Sequence, residues 1–292
     1  MVINMRQMLL FKDEIKQKPI NVASVPMRSP FRYAGGKTWF VPYIRKWLRL
    51  YEGKIDFVEP FTGGGIVSLT VGFENLAQTI LMVEKDEDVA SVWKTILSRE
   101  YKWLVDQITS FEVTAEAAQK IIGQNPKSIR KQAFQTILRN RLQHGGILAA
   151  GAGLLKNGEN GKGLKSRWYP ETLRRRICDI QEIKHKIDFT EGDGIEVIQK
   201  NSKRKEIVFF IDPPYTVAGR RLYKYHQIDH EHLFETVNKI KGDFVMTYDD
   251  SEEIEKLANS FDFSVKRVVM KTTLHYVKYE LVIGRNLEWL ED

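Results

Sequence analysis

The stretch EIVFFIDPPY, residues 206–215, decides the fold. Ile207, Val208, Phe209, Phe210 and Ile211 run without a polar interruption and stop at an acid followed by two prolines. A short, wholly apolar run suits a strand buried on both faces, as in a parallel sheet, and prolines, which lack an N–H for the ladder, end it abruptly. Outward from this strand the pattern alternates. Upstream, residues 37–50 carry helical spacing, IDFVEP reads as a short strand ending at Pro60, and a helix-like segment begins at Ile66. TILMVE then reads as a second strand closed by Glu84, with acids opening a helix over 88–97. Downstream come a helix over 231–240, the strand DFVMTYD, a helix over 252–261, and the closing strands SVKRVVMK and KYELVIGR. This order predicts an α/β, doubly wound, Rossmann-like sheet with an antiparallel last strand. Residues 29–98 and 186–292 form its main domain, residues 99–185 a mostly helical insertion with helices over 128–142 and 172–187, and residues 1–28 an N-terminal extension without a clear period.

Composition sets the outer limits. At 292 residues, with 42% hydrophobic and 28% charged content, the chain can bury a full core and is not of the disordered or disulfide-scaffold type. Its one cysteine, Cys178, cannot form an internal disulfide, and the apolar run from Met8 to Phe11 is too short for a secretory signal. No apolar run reaches the length of a membrane-spanning helix, about 18 residues. A cytoplasmic protein is expected. The net charge of +7 is unevenly spread: residues 127–176 hold 12 Lys and Arg against Glu159 and Glu171, a balance of +10, which leaves −3 for the rest. The same stretch places seven glycines between Gly145 and Gly163, which suits a loop or hairpin rather than a packed helix. A flexible basic finger fits a polyanion, nucleic acid above all, while the plainer reading is a solvated surface loop. The candidate contacts are Arg139, Asn140, Arg141, Lys156, Lys162, Lys165 and Arg167.

Two glycine turns invite nucleotide-binding readings. FRYAGGKT lacks the first glycine of a phosphate-cradling loop, since Phe31 stands five positions before Gly36. In EPFTGGGIVS the third glycine of the dinucleotide fingerprint falls on Ser68. What remains is a strand, a turn that lets a ligand approach the backbone, and an acid, Glu84, able to accept hydrogen bonds from a ribose. That pocket suits a nucleoside without a pyrophosphate, or is only a tight turn.

Asp212-Pro213-Pro214-Tyr215 has its own chemical logic at the carboxyl end of a strand, where open α/β sheets place ligands. The exocyclic amine of a nucleobase is a poor nucleophile because its lone pair is delocalised into the ring. A carboxylate and a backbone carbonyl held by prolines can each accept one amino hydrogen and localise that pair, while Tyr215 offers a stacking face. Catalysis then comes from positioning and preorganised electrostatics.

With these motifs the chain resembles the DNA adenine methyltransferases of the Dam type, solitary or in restriction-modification systems. PFRYAGGK, FVEPFTGGG, IDPPY and KYELVIGRN match in the family's order over nearly the whole chain, and NRLQHGGI, RWYPETL, EGDGIEVI and YKYH match in smaller patches. The resemblance implies a Rossmann-like methyltransferase sheet and S-adenosyl-L-methionine as cofactor. It assigns to that cofactor Tyr33, Ala34, Gly35, Gly36 and Lys37, then Glu59, Pro60, Phe61, Gly63 and Gly65, Glu84 at the ribose, Asp193 near the adenine, and Asp212. Tyr33 and Glu84 depart from the family's usual Trp and Asp. Asp212, Pro213, Pro214 and Tyr215 become the catalytic set, acting on the 6-amino group of an adenine turned out of duplex DNA. The basic insertion becomes the target-recognition region, and Tyr223, Lys224 and Tyr225 are candidates for closing over the extruded nucleotide. A monomer is expected, with a cognate restriction endonuclease as a separately acting partner. The alternatives are methylation of the 4-amino group of cytosine and an inactive DNA-binding protein on the same fold. No metal site is expected, because His144 and His226 lack companions at zinc-ligand spacing.

Overall fold

The computed structural model describes residues 22, 24–33, 35–148, 152–155, 163–214, 228–271 and 277–290. Seven strands form one sheet: β1 (Asp56–Glu59), β2 (Thr79–Glu84), β3 (Ile187–Glu191), β4 (Ile207–Ile211), β5 (Asp243–Asp249), β6 (Ser264–Lys271) and β7 (Val277–Gly284), in the order β3-β2-β1-β4-β5-β7-β6. The first five strands are parallel, and β7 is antiparallel to both β5 and β6. The doubly wound sheet expected from sequence is thus the observed one. Its order reverses between β1 and β4, so their carboxyl ends flank the crevice where such sheets bind ligands.

Helix α1 (Val41–Arg49) precedes β1, and α2 (Ile66–Phe73) and α3 (Glu87–Ile96) follow β1 and β2. Helix α2 is buried along nearly its whole length because it lies between the sheet and the helices outside it. The inserted region supplies α4 (Tyr101–Ser110), α5 (Ala115–Ile122), α6 (Ile129–Leu142) and α7 (Pro170–Ile183). Their buried residues Leu104, Ile137, Leu138, Leu173 and Ile177 join Val67, Val92 and Trp93 in one apolar cluster, so these helices share a core with the sheet face. A second cluster, with Phe209, Leu233, Phe234, Met246 and Leu281, covers the other face under α8 (Gly194–Asn201), α9 (His230–Asn238) and α10 (Glu252–Ser260). Among the described residues no helix is long and apolar enough to cross a membrane.

One element departs from the sequence reading. The helix expected over 172–187 ends at Ile183, and Ile187 instead opens β3, pairing with Ile80 of β2. As an edge strand of five residues, β3 buries only Ile187, and the brief alternation Ile187-Asp188-Phe189-Thr190, directly after a helix, is too short to break the helical reading. The expected hairpin in the glycine-rich stretch has a described base: Gln143 and Leu154 pair antiparallel, with His144 N donating to Gly153 O at 3.1 Å and Leu155 N to Leu142 O at 2.8 Å.

Candidate active site

The site is built from strand tips. At the end of β1, Glu59 is buried and accepts hydrogen bonds from the Ser68 amide at 3.1 Å and from the Ser68 hydroxyl, which ties the tip to the first turn of α2. Between them Thr62 donates to Glu59 O and accepts from Val83 N, both at 2.9 Å, linking the turn to β2. Gly63 and Gly65 adopt positive φ values of 47° and 64°. A Cβ there would lie 2.6 Å from the Tyr33 ring and 2.7 Å from the Trp93 ring, respectively, so backbone conformation and close packing both require glycine. Trp93 Nε1 donates to Gly63 O at 2.9 Å. Glu84, at the tip of β2, accepts from the amides of Gly63 at 2.8 Å and Asp86 at 2.9 Å.

Asp193 caps α8 through the Ile195 amide at 2.9 Å and pairs with Lys85 at 2.7 Å. Its neighbour Gly194 lies so close to the β1 tip that a Cβ would come within 2.3 Å of Pro60 O. Phe61 packs, half-buried, against the second apolar cluster. Asp212, just beyond β4, receives two donors on Oδ1: Lys37 Nζ and the Thr247 hydroxyl, each at 2.8 Å. Lys37 also meets Glu280 of β7 at 3.4 Å and is only 3% exposed. The first glycine motif, the end of β4 and β7 therefore meet at one ammonium.

The electrostatics are lopsided. Burial pushes the Glu59 carboxyl up, its hydrogen bonds from Ser68 pull it back, and the charges of Asp212 and Glu84 push it further, to about 8. Burial likewise raises Glu84 to about 7, against the pull of the Asp86 and Gly63 amides. For Lys37, burial acts to lower the ammonium, but the carboxylates of Asp212 and Glu280 together outweigh it and hold it above its ordinary value. Among the described residues, Asp212 and Glu280 flank the Lys37 ammonium, while burial leaves Glu59 and Glu84 on the neighbouring tips inclined to hold their protons.

Of the sequence candidates, Tyr33, Gly35, Gly36, Lys37, Glu59, Pro60, Phe61, Gly63, Gly65, Glu84, Asp193, Asp212, Pro213 and Pro214 lie on or beside these strand tips, whereas Ala34 and Tyr215 fall outside the described residues. Sequence reasoning passed over Ser68, Trp93, Thr247 and Glu280. The signal for Glu280 was present, since a lone acid in the apolar run of KYELVIG needs a partner.

The basic candidates divide differently. Asn140 and Arg141 are buried rather than carried on an exposed finger. Asn140 is fully buried: its Oδ1 accepts from Arg32 N at 2.8 Å, and its Nδ2 donates to Arg32 O at 2.8 Å and Gly146 O at 3.0 Å. Arg141 is 5% exposed and donates to Pro30 O. Arg139 pairs with Asp88 at 2.7 Å and donates to Leu148 O. These three side chains pin the segment before Tyr33 and the hairpin base onto α6 and α3. Lys165 is exposed and Arg167 half-buried, while Lys156, Lys162, Tyr223, Lys224 and Tyr225 lie outside the described residues. Among the described residues no group of three or more His, Cys, Asp or Glu side chains could hold a metal ion.

The sheet order reverses beside a glycine turn, with an acid-proline-proline corner on the next strand, at the place where sheets of this kind bind ligands. A family model described as D12 class N6 adenine-specific DNA methyltransferase matches residues 33–274, and the chain belongs to that family. No curated protein matches it. Solved structures similar to it include a proposed RNA methyltransferase from Pyrococcus horikoshii, 10% identical, over 96% of this chain and 98% of that one, with a TM-score of 0.40. Others are a SAM-dependent methyltransferase from Agrobacterium tumefaciens, 10% identical over 85% and 60% of the two chains with a TM-score of 0.38, and a proposed methylase from Haemophilus influenzae, 10% identical over 83% and 86% with a TM-score of 0.36. The reading below rests on the family match and the site's geometry.

Proposed function

We propose that this methyltransferase modifies the 6-amino group of an adenine extruded from duplex DNA, with S-adenosyl-L-methionine as methyl donor. The observation that carries the reading is the fixed carboxylate of Asp212, held by Lys37 and Thr247 at the corner where β4 ends in Pro213 and Pro214. With both donors on one oxygen, the carboxylate cannot rotate. Asp212 and the Pro213 carbonyl then accept the two amino hydrogens and aim the nitrogen lone pair, and Tyr215 supplies the stacking face. Glu84 at the ribose, the turn from Phe61 to Gly65, and Tyr33 with Lys37 hold the cofactor, which supplies an electrophilic methyl on a positively charged sulfur. Asp193 lines the adenine end. Extrusion of the base costs a few kcal/mol, which stacking and phosphate contacts offset.

The test is mass analysis of nucleosides from duplex DNA incubated with the protein and cofactor. N6-methyladenine is expected, and its formation should fall by several orders of magnitude in Asp212→Ala while cofactor binding persists. N4-methylcytosine as the product, or full activity in the variant, would overturn the reading.

A further inference from the structure

We infer that Arg32, Arg141, Arg167 and Arg176 form a seat for one backbone phosphodiester of the nucleic-acid substrate, an inference that rests on the DNA reading of the proposed function. The segment from Ser29 to Tyr33 crosses the carboxyl end of α6 and the start of α7, and backbone carbonyls fix it to the arginines. Arg141 donates to Pro30 O, Arg176 donates to Ser29 O at 2.8 Å, and Asn140 clamps both the N–H and the carbonyl of Arg32. Carbonyls orient the Arg141 and Arg176 guanidiniums without neutralising them, while Arg32 is held through its backbone. Among the described residues none of Arg32, Arg141 and Arg176 forms an ion pair with a carboxylate, unlike Arg28, Arg45 and Arg139, which meet Glu74, Glu74 and Asp88.

Like charges are instead gathered together. Burial, then the charges of Arg176, Arg32 and Arg167, depress the Arg141 guanidinium to about 9. Arg32 is lowered by burial and then by Arg167, and Arg176 by burial and then by Arg175. Donors also remain unspent: among the described residues, Arg32 Nη1, Arg141 Nε, Arg176 Nε and the Ser166 hydroxyl are buried and find no hydrogen-bond partner, and Arg141 and Ser166 are only 5% and 3% exposed. Burying mutually repelling cations with idle donors costs stability, and an anion that accepts from several of them removes both penalties. A phosphodiester, with two charged oxygens, matches guanidinium forks. The start of α7 adds to this, since Tyr169 precedes Pro170 with no side-chain cap on the first amides, where anions are favoured. Tyr169 itself is 51% exposed beside the cluster.

The seat's place in the chain fits the chemistry. Arg32 directly precedes Tyr33, whose ring packs on Gly63, and Ser29 Oγ donates to Gly64 O. A strand seated on the arginines therefore runs beside the pocket that receives its base.

The experiment is a binding scan of duplex DNA in which methylphosphonates remove one phosphate charge at a time. At one position the wild-type protein should lose about tenfold or more in affinity. Arg32→Ala/Arg167→Ala should already bind unmodified DNA that much more weakly, show a salt slope shallower by about 1 to 2, and be indifferent to the methylphosphonate at that position. Cofactor affinity should match wild type; if the double variant loses its thermal transition, Arg32→Gln alone takes its place in the scan. Equal sensitivity of wild type and variant at every position, or a wild type indifferent throughout, overturns the seat. A wild type that binds no DNA overturns the seat and the proposed function together, whereas adenine methylation with an unresponsive phosphate scan overturns the seat alone.

Discussion

The molecule holds two concentrations of partly buried charge, and they are of opposite sign. At the strand tips, Asp212 and Glu280 flank Lys37, and Glu59 and Glu84 stand buried on the neighbouring tips. Where the segment 29–33 meets α6 and α7, arginines gather, and among the described residues no carboxylate pairs with Arg32, Arg141 or Arg176. The two lie at either end of one stretch of chain, residues 29–37. Each is a cost in the ligand-free protein, which the first meets with held protons and the Lys37 ammonium and the second would shed on binding an anion. Substitutions that neutralise one region should leave the other unchanged, which is the way to break the comparison.

The largest effect is expected at Lys37. Replacement by Met deprives half-buried Asp212 and buried Glu280 of this cation, which should cost about 3–5 kcal/mol of stability, since the buried partner of both pairs is removed. Activity should fall by at least about a hundredfold as Asp212 loses its orientation. Lys37→Met/Glu280→Gln should regain part of the stability but little of the activity, measured by chemical denaturation and turnover. Equal recovery of both would mean that Lys37 only balances charge.

The acid-rich region was far more legible in the sequence than the basic one, for a physical reason. At a strand tip, the end of an apolar run fixes where the next side chains must lie, so Glu84 and Asp212 could be placed from IVFFI and TILMVE alone. Helix α6 offers no such stop. Its apolar and charged residues spread around the whole helix, and nine of its 14 residues are buried, so charge did not reveal which way Arg139, Asn140 and Arg141 point. Only the partners Asp88, Arg32 and Pro30, far away in sequence, decide that. Edge strand β3 escaped detection because a sheet edge leaves most of its side chains in water.

A second prediction uses acidity. The folded-state value for Glu59 is about 8, raised above that of an unfolded glutamate near 4.5, so the folded protein holds the proton over the window between them. Stability from this group is therefore present below about pH 4.5 and is lost as pH rises toward 8, because the unfolded chain releases the proton first. The loss is of the order of a few kcal/mol. Glu59→Gln should flatten the decline in unfolding free energy between pH 5 and pH 9, leaving the smaller share due to Glu84, whose value is about 7. A decline as steep as in wild type would remove Glu59 as its source.

Asn140→Ala is expected to cost about 1–3 kcal/mol, because Arg32 N, Arg32 O and Gly146 O lose their partner in a buried place. The thermal midpoint should fall. At temperatures where the variant is fully folded, the methylphosphonate scan should retain its sensitive position, since Arg32 keeps its side chain. A lost position with an unchanged midpoint would mean that Asn140 contacts the ligand directly.

The smallest effect belongs to Lys165, which is exposed in the short turn Gly163–Arg167 ahead of α7. If its ammonium meets a phosphate through water, Lys165→Ala should weaken DNA binding only a few-fold and reduce the salt slope by about 1 or less, with no change in midpoint. The contrast with Arg32 is what sharpens the comparison. An exposed lysine loses little when it dissociates, because water solvates it again, whereas a half-buried guanidinium among others of its kind has no such alternative. Equal losses at Lys165 and Arg32 would show that burial lends the arginine cluster no advantage and that its positive charge alone attracts the strand.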